Sequence, residues 1–244
     1  MKIAYILDRM YKHRELEGFS TMSPTSTAAT REREDALMYL PRKGVIECRR
    51  GQIIYDEQHQ SSGLYLVVKG RVKVSITMED GSQTVTGVYC ADEFFGEGAM
   101  VGKPERQERA VALENTTLMS WTNEEIEDQI ERQPKLGMAL IQILVERCLD
   151  FEARLQSMAL EKTPQRVAFC LLSFAQRLGT PGPDGAVRIP PFTHQLLSEY
   201  VGTSREIVTF QMNHLRHLAL LRYSRKGIEI FVEPLAAYLR NLEH

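Results

Sequence analysis

The 244-residue sequence predicts an α+β protein, with an N-terminal antiparallel β-roll, a long helix and a C-terminal winged helix-turn-helix. Three observations carry this. Apolar residues alternate with period two between Leu40 and Trp121, as they do in half-buried strands. From Leu136 to Met158 they recur every three or four residues, as on one long helix. Beyond Phe192, two capped helical stretches flank Gly202 and lead into a short hairpin. The divisions expected are an arm and linker over 1–39, a roll over 40–122, a hinge and dimerisation helix over 123–160, and the winged helix-turn-helix over 161–244.

Composition narrows the function classes. A formal net charge of -2 exerts no whole-chain pull toward polyanions, so any nucleic-acid binding has to come from local arrangement. Cys48, Cys90, Cys148 and Cys170 are far apart and form no CxxC or CxxH spacing, which argues for reduced thiols and against zinc, an iron-sulfur cluster or a disulfide framework. No apolar run approaches the ~20 residues that span a bilayer, and the N-terminus lacks a signal-peptide order. The expectation is a cytoplasmic protein without a membrane partner. No nucleophile with its base, paired catalytic carboxylates, Gly-rich phosphate loop or metal cluster is apparent, so no enzyme is expected and no cofactor is required.

In the arm, Ile3, Ile6, Leu7 and Met10 fit one face of a short helix, but "STMSPTSTAAT" reads as a polar linker and disorder or loose packing is expected. In the roll, "LYLVVKGRVKVSI" alternates Leu64, Leu66 and Val68, then Val72, Val74 and Ile76, with bends at Lys69-Gly70 and Asp80-Gly81. After Asn123 the pattern is helical. Pro134 opens a stretch whose Leu136, Leu140, Ile143, Arg147, Phe151, Leu155 and Met158 form one stripe. Such a stripe covers either the chain's own β domain or a second copy. At ~1.5 Å per residue the helix is about 40 Å long, more than a small β domain covers, which favours a two-fold dimer seam. Thr163-Pro164 then starts a further helix, with Thr163 as its cap, and Gly179 ends it.

The last segment, "FTHQLLSEYVGTSREIVTFQMNHLRHLALLRYSRKGIEIF", reads as helix, tight turn, helix, hairpin. Thr193 caps the first helix, Gly202 makes the turn, and Ser204 or Thr203 caps the second. Ile207, Val208, Met212 and Leu215 are expected to face inward, leaving Arg205, Glu206, Thr209, Phe210, Asn213 and Arg216 outside. A second helix so placed enters a major groove with its N-terminal residues at the base edges. Arginine donates twice to guanine O6 and N7 while glutamate accepts from cytosine N4. Arg205-Glu206 therefore suits a G·C step, the alternative being a solvated surface pair contributing under ~1 kcal/mol. From Phe192 onward there are six Arg and Lys against five Asp and Glu, no strongly basic patch, but Arg222, Arg225 and Lys226 cluster at the hairpin, where a wing meets phosphates.

With these residues in view, "GTSREIVTFQMNHLRHLALL" resembles the DNA-binding signature of the cyclic-AMP receptor protein and fumarate-nitrate reduction regulator (Crp/Fnr) family. "LYLVVKGRVKV" and "FFGEGAMVGKPERQERAVALE" resemble its β-roll and phosphate-binding cassette. The likeness covers Leu40 to His244. It implies a homodimer paired through the long helices, bound to double-stranded DNA at a near-palindromic site and acting with RNA polymerase. By position it assigns base reading to Arg205 and Glu206, phosphate contacts to Thr193, Gln195 and Ser204, and the wing's approach to the backbone to Lys226, beside Arg225 of the same basic cluster. Phe210 stands where the family commonly has arginine, so the preferred half-site should differ, an aromatic there suiting a thymine methyl.

Cyclic-nucleotide-binding members hold a ribose hydroxyl with a Gly-Glu glutamate and the cyclic phosphate with an Arg-Ser pair. Gly96 and Glu97 match the first. For the second, a gapless alignment selects Arg106 and Gln107, and an insertion selects Arg109 and Ala110; neither keeps the serine. Phe151 and Glu152 stand where the cyclic-AMP receptor has small hydroxyl residues facing adenine. The effector reading is therefore an unknown ligand, with cyclic AMP disfavoured, or activity without one. His59 is a weak haem-ligand candidate. The competing reading is a nucleotide-sensing module that regulates a protein partner, against which the capped Ser-Arg-Glu helix and basic wing count.

Overall fold

The computed structural model describes residues 34–59, 63–78, 81–101 and 108–242. The helix expected around Ile3 to Met10 and most of the polar linker lie outside the described residues. Residues 34–39, assigned to that linker, pack instead: Asp35 caps a 3-10 turn over Ala36–Met38, and Ala36 and Leu40 are buried.

The roll is two facing four-stranded antiparallel sheets. One has the order β1 (Ile46–Cys48), β8 (Thr116–Thr122), β3 (Gly63–Lys69), β6 (Phe94–Phe95). The other runs β2 (Ile53–Tyr55), β7 (Glu108–Ala112), β4 (Val72–Thr77), β5 (Gln83–Tyr89). Their inner faces share a core of Tyr55, Tyr65, Val67, Val72, Val74, Phe95, Ala110 and Leu118. The period-two reading had the right strands but the wrong inner face for β3. Tyr65 and Val67 point into the roll, Leu64 and Leu66 point out of it, and Val68 is exposed. The cause is that β3 is covered on both sides, so alternation no longer separates core from solvent.

The outward leucines meet helix α1 (Asn123–Arg132) and the start of α2 (Lys135–Leu160). A reciprocal Thr122–Glu125 capping box begins α1. On α2, Leu136 and Leu140 are buried and Ile143 half-buried against Leu40, Leu64, Leu66, Trp121 and Ile126 of the same chain. Arg147 also turns back to the roll. These four expected seam residues are therefore intrachain contacts, and only Phe151, Leu155 and Met158 of the stripe are exposed. A helix apolar on two sides offers two stripes, and periodicity cannot say which one its own domain takes. The exposed apolar row is Ile141, Leu144, Val145 and Leu149, continued by Leu155. Leu136→Ala should cost about 2–5 kcal/mol in urea unfolding, the usual range for emptying a buried leucine site, and leave the solution mass unchanged.

Helix α3 (Thr163–Leu178) starts one residue earlier than expected, with Lys162 rather than Thr163 as N-cap and Thr163 already helical. The C-terminal domain adds α4 (His194–Val201), α5 (Arg205–His217), α6 (Val232–Asn241) and a sheet ordered β11 (Leu221–Ser224), β12 (Gly227–Ile230), β10 (Val187–Ile189), β9 (Thr180–Pro181). Phe174, Leu197, Met212, Leu215, Ile230 and Leu235 fill its core, and Val85 and Val88 of the roll join them. Charged clamps reinforce that junction. Lys73 Nζ lies 3.1 Å from Glu199, Arg177 Nη2 lies 3.1 Å from Glu93, and Arg154 donates to the carbonyls of Val85, Thr86 and Tyr200.

Candidate nucleic-acid interface

The two helices of the reading unit are set by local chemistry. Thr193 Oγ1 accepts from Leu196 N at 3.1 Å and so starts α4. Gly202 ends it in the left-handed region, φ 72°, where a side chain would be strained. Ser204 then caps α5, its Oγ accepting from Ile207 N at 3.3 Å. Val208, Met212 and Leu215 anchor α5 to the core. Ile207, expected beside them, is 43% exposed. Fully buried Val208 follows it, so the helix turns Ile207 about 100° away from the face that meets the core.

The outer face of α5 carries the expected residues. Arg205 and Glu206 are exposed in the first turn, and Arg205 makes no side-chain hydrogen bond or salt bridge among the described residues. Glu206 is held below the usual carboxylate range by its own backbone N–H and then by the Ser204 hydroxyl, so it is an ionised acceptor at the helix start. Phe210, one turn on, is 66% exposed. Thr209 departs from expectation because its hydroxyl is used inside the protein. It donates to the Arg205 carbonyl oxygen at 2.8 Å and lies 2.8 Å from His194 Nδ1.

The candidate phosphate contacts are mixed. Thr193 and Gln195 are exposed at the start of α4, Gln195 Nε2 donating to Glu199 Oε1 at 3.0 Å. Arg225 and Lys226 are exposed at the wing turn. Gly227 closes that turn at φ 148°, where an added Cβ would sit 2.0 Å from the Ile189 carbonyl oxygen. Arg222, grouped with them in the sequence, is not free: it bonds Asp184 and, at 2.5 Å, buried Glu229, which Arg188 also holds. Two arginines, Arg222 and then Arg188, keep Glu229 below the ordinary carboxylate range, so it is ionised and the pairing is structural.

At the expected effector site, rings fill the interior of the roll. Phe95 stacks with Tyr65 at 5.2 Å, Tyr89 at 5.6 Å and Tyr55 at 6.2 Å between centroids. Glu97 forms an ion pair with Arg147, whose guanidinium also donates to the Phe94 carbonyl at 2.6 Å and sits 4.9 Å from the Tyr89 ring centre. Burial, followed by the carboxylates of Glu108 and Glu97, pushes the Tyr55 phenol up, so both carboxylates lie near the same inner ring. Arg109 does not join them. It alternates with inward Ala110 on β7 and pairs across to Ser75 on β4, which puts it on the outer face of the sheet. Arg106 and Gln107 lie outside the described residues. Phe151 and Glu152 are exposed on α2, not packed against the roll interior. His59 is exposed beside Asp56, and no group of three metal-ligating side chains occurs among the described residues.

Two family models match this chain, a cyclic nucleotide-binding domain over residues 45–133 and a Crp-like helix-turn-helix domain over residues 165–233. The chain belongs to the Crp/Fnr family. Like its Crp/Fnr relatives it is a transcription regulator with a helix-turn-helix DNA-binding domain. Over 184 residues it is 28% identical to the global nitrogen regulator of Synechococcus elongatus, covering 75% of this chain and 83% of that one. Over 181 residues it is 29% identical to the cyclic AMP receptor protein of Thermus thermophilus, covering 74% and 81%. The fold is also that of FixK2 from Bradyrhizobium japonicum, with TM-score 0.69 and 19% identity, covering 80% of this chain and 96% of that one. The first two names differ in what they imply is sensed, so Crp/Fnr membership leaves the effector open.

Sequence reasoning missed His194 and Tyr223 within the Crp/Fnr reading unit, and Arg147 as the partner of Glu97. His194 follows the Thr193 cap and was legible as a helix start, but its partners on α5 and the wing are contacts of the fold.

Proposed function

We propose that this chain is a homodimeric, sequence-specific DNA-binding transcription regulator, whose α5 enters the major groove and whose roll is not switched by cyclic AMP. The observation that carries the first part is the exposed, capped Arg205-Glu206 start of α5, with Arg205 making no side-chain hydrogen bond or salt bridge among the described residues. Arg205 and Glu206 read base edges, with Phe210 against an apolar group such as a thymine methyl. Thr193, Gln195, Arg225 and Lys226 approach phosphates, and Ser204 fixes the helix start that aims them. RNA polymerase is the protein partner this role implies.

The partner copy meets the exposed row of α2, through Ile141, Leu144, Val145 and Leu155. Support comes from their number along one helix, since contiguous exposed apolar surface on a soluble protein marks an interface. A gel shift on genomic fragments with nonspecific competitor tests the reading; specific complexes should survive competitor and weaken steeply with salt.

The second part rests on charge. A cyclic phosphate needs cationic donors, whereas the described interior near Tyr55 holds Glu97 and Glu108, and its arginine, Arg147, is already engaged with Glu97. Calorimetric titration with cyclic AMP should give no micromolar binding, and saturating nucleotide should leave the gel shift unchanged. Micromolar binding coupled to a tighter shift would overturn this part alone.

A further inference from the structure

His194 and Tyr223 join three parts of the reading unit. His194 is the first residue of α4, its Nδ1 2.8 Å from Thr209 Oγ1 on α5 and its Nε2 2.9 Å from the Tyr223 hydroxyl on β11. The partners assign the protons. Thr209 gives its own hydrogen to the Arg205 carbonyl oxygen, 2.8 Å away. Its oxygen is therefore an acceptor toward the imidazole, and Nδ1 carries the hydrogen. In the neutral ring Nε2 is then the acceptor, and the Tyr223 hydroxyl donates to it.

Protonating the ring reverses only one of these bonds. Both nitrogens of an imidazolium donate, so the bond to Thr209 is unchanged. Nε2–H now donates to the phenolic oxygen, which releases the Tyr223 hydrogen to another acceptor. Tyr223 is 42% exposed on the strand that leads to the Arg225-Lys226 turn, so the released donor can reach an outside partner. Resting on the reading that α5 enters the major groove, we propose that His194 and Tyr223 form a proton-linked phosphate contact. Protonated His194 frees the Tyr223 hydroxyl to donate to a DNA phosphate oxygen and places a positive charge beside it.

The free protein opposes that charge. Burial, and then the positive Arg205 facing the ring from α5, hold the imidazole below the ordinary histidine range, and Arg216 of α5 acts on Tyr223 from the same side. A phosphate brought between these groups supplies the missing negative charge. DNA binding therefore draws a proton onto His194, and by reciprocity a falling pH tightens DNA binding.

The test is the affinity for a selected site by fluorescence anisotropy from pH 8 to pH 6 at constant salt, with proton uptake measured by calorimetry in two buffers of different ionisation enthalpy. The wild type should tighten about tenfold, within the usual span of such couplings. His194→Gln and Tyr223→Phe should each bind at pH 8 and lose most of that tightening, together with the matching proton uptake. His214 and His217 on α5 are present in all three proteins, so the difference between proteins isolates His194. A Tyr223→Phe protein that keeps the full pH dependence overturns the contact, as does a wild type that takes up no proton. Absence of any specific complex at every pH overturns the DNA-reading assignment itself, and this contact with it.

Discussion

Arg205→Ala lowers affinity for a selected site about 5- to 150-fold, the equivalent of the ~1–3 kcal/mol carried by one bidentate guanine contact, and leaves nonspecific duplex binding nearly unchanged. The side chain is exposed and makes no side-chain hydrogen bond or salt bridge among the described residues, so its removal breaks no such bond and folding stability should stay within about 0.5 kcal/mol. Lys226→Ala is the contrasting variant. On the proposed reading its charge at the exposed wing turn meets backbone rather than bases, so binding should fall by a similar factor on every sequence and the salt slope should drop by about one. Competition gel shifts against random duplex separate the two patterns. Equal losses for Arg205→Ala on specific and nonspecific DNA would remove it from base reading.

On the proposed homodimer, the double variant Ile141→Asp, Leu155→Asp should be monomeric and weaken binding to a two-half-site duplex by about 10²–10⁴-fold, the usual gain from linking two weak contacts. These residues are 54% and 68% exposed in the single chain, so charging them leaves the monomer core intact. In an assembled dimer the same carboxylates would be buried unpaired, at a cost that pairing of α2 does not offset. Sedimentation equilibrium reads the mass directly. A variant that remains dimeric places the seam elsewhere. Leu136→Ala is the complementary control, because it weakens the opposite face of the same helix, where Leu136 packs on Trp121 and Ile126.

These two variants mark where the sequence was readable and where it was not. The start of α5 was legible because its determinants are local: the Ser204 cap, the left-handed Gly202 and the apolar spacing of Val208, Met212 and Leu215 lie within fifteen residues of one another. The stripe on α2 was legible as a stripe but not as a face. Leu136, Leu140 and Ile143 fit a dimer seam as well as they fit Leu64 and Trp121, and the choice depends on where β3 and β8 lie in space. For β3, covering both sides concealed the inner phase. The effector reading suffered similarly. Gly96-Glu97 was found, but the Arg147 that neutralises Glu97 stands fifty residues on, and the strand phase that turns Arg109 outward is set by pairing with Ser75. Arg222 looked like part of a basic wing because Asp184 and Glu229, which bind it, are brought there only by the fold.

The most direct test of the central claim is a selection from random duplex DNA with the purified full chain, followed by hydroxyl-radical footprinting on the enriched sequence. The account predicts an inverted repeat whose half-sites lie about 34 Å apart along one face of the duplex, each containing a G·C step that Arg205→Ala no longer discriminates. Enrichment of no sequence, or of a single unrepeated element protected by a monomer, would contradict it.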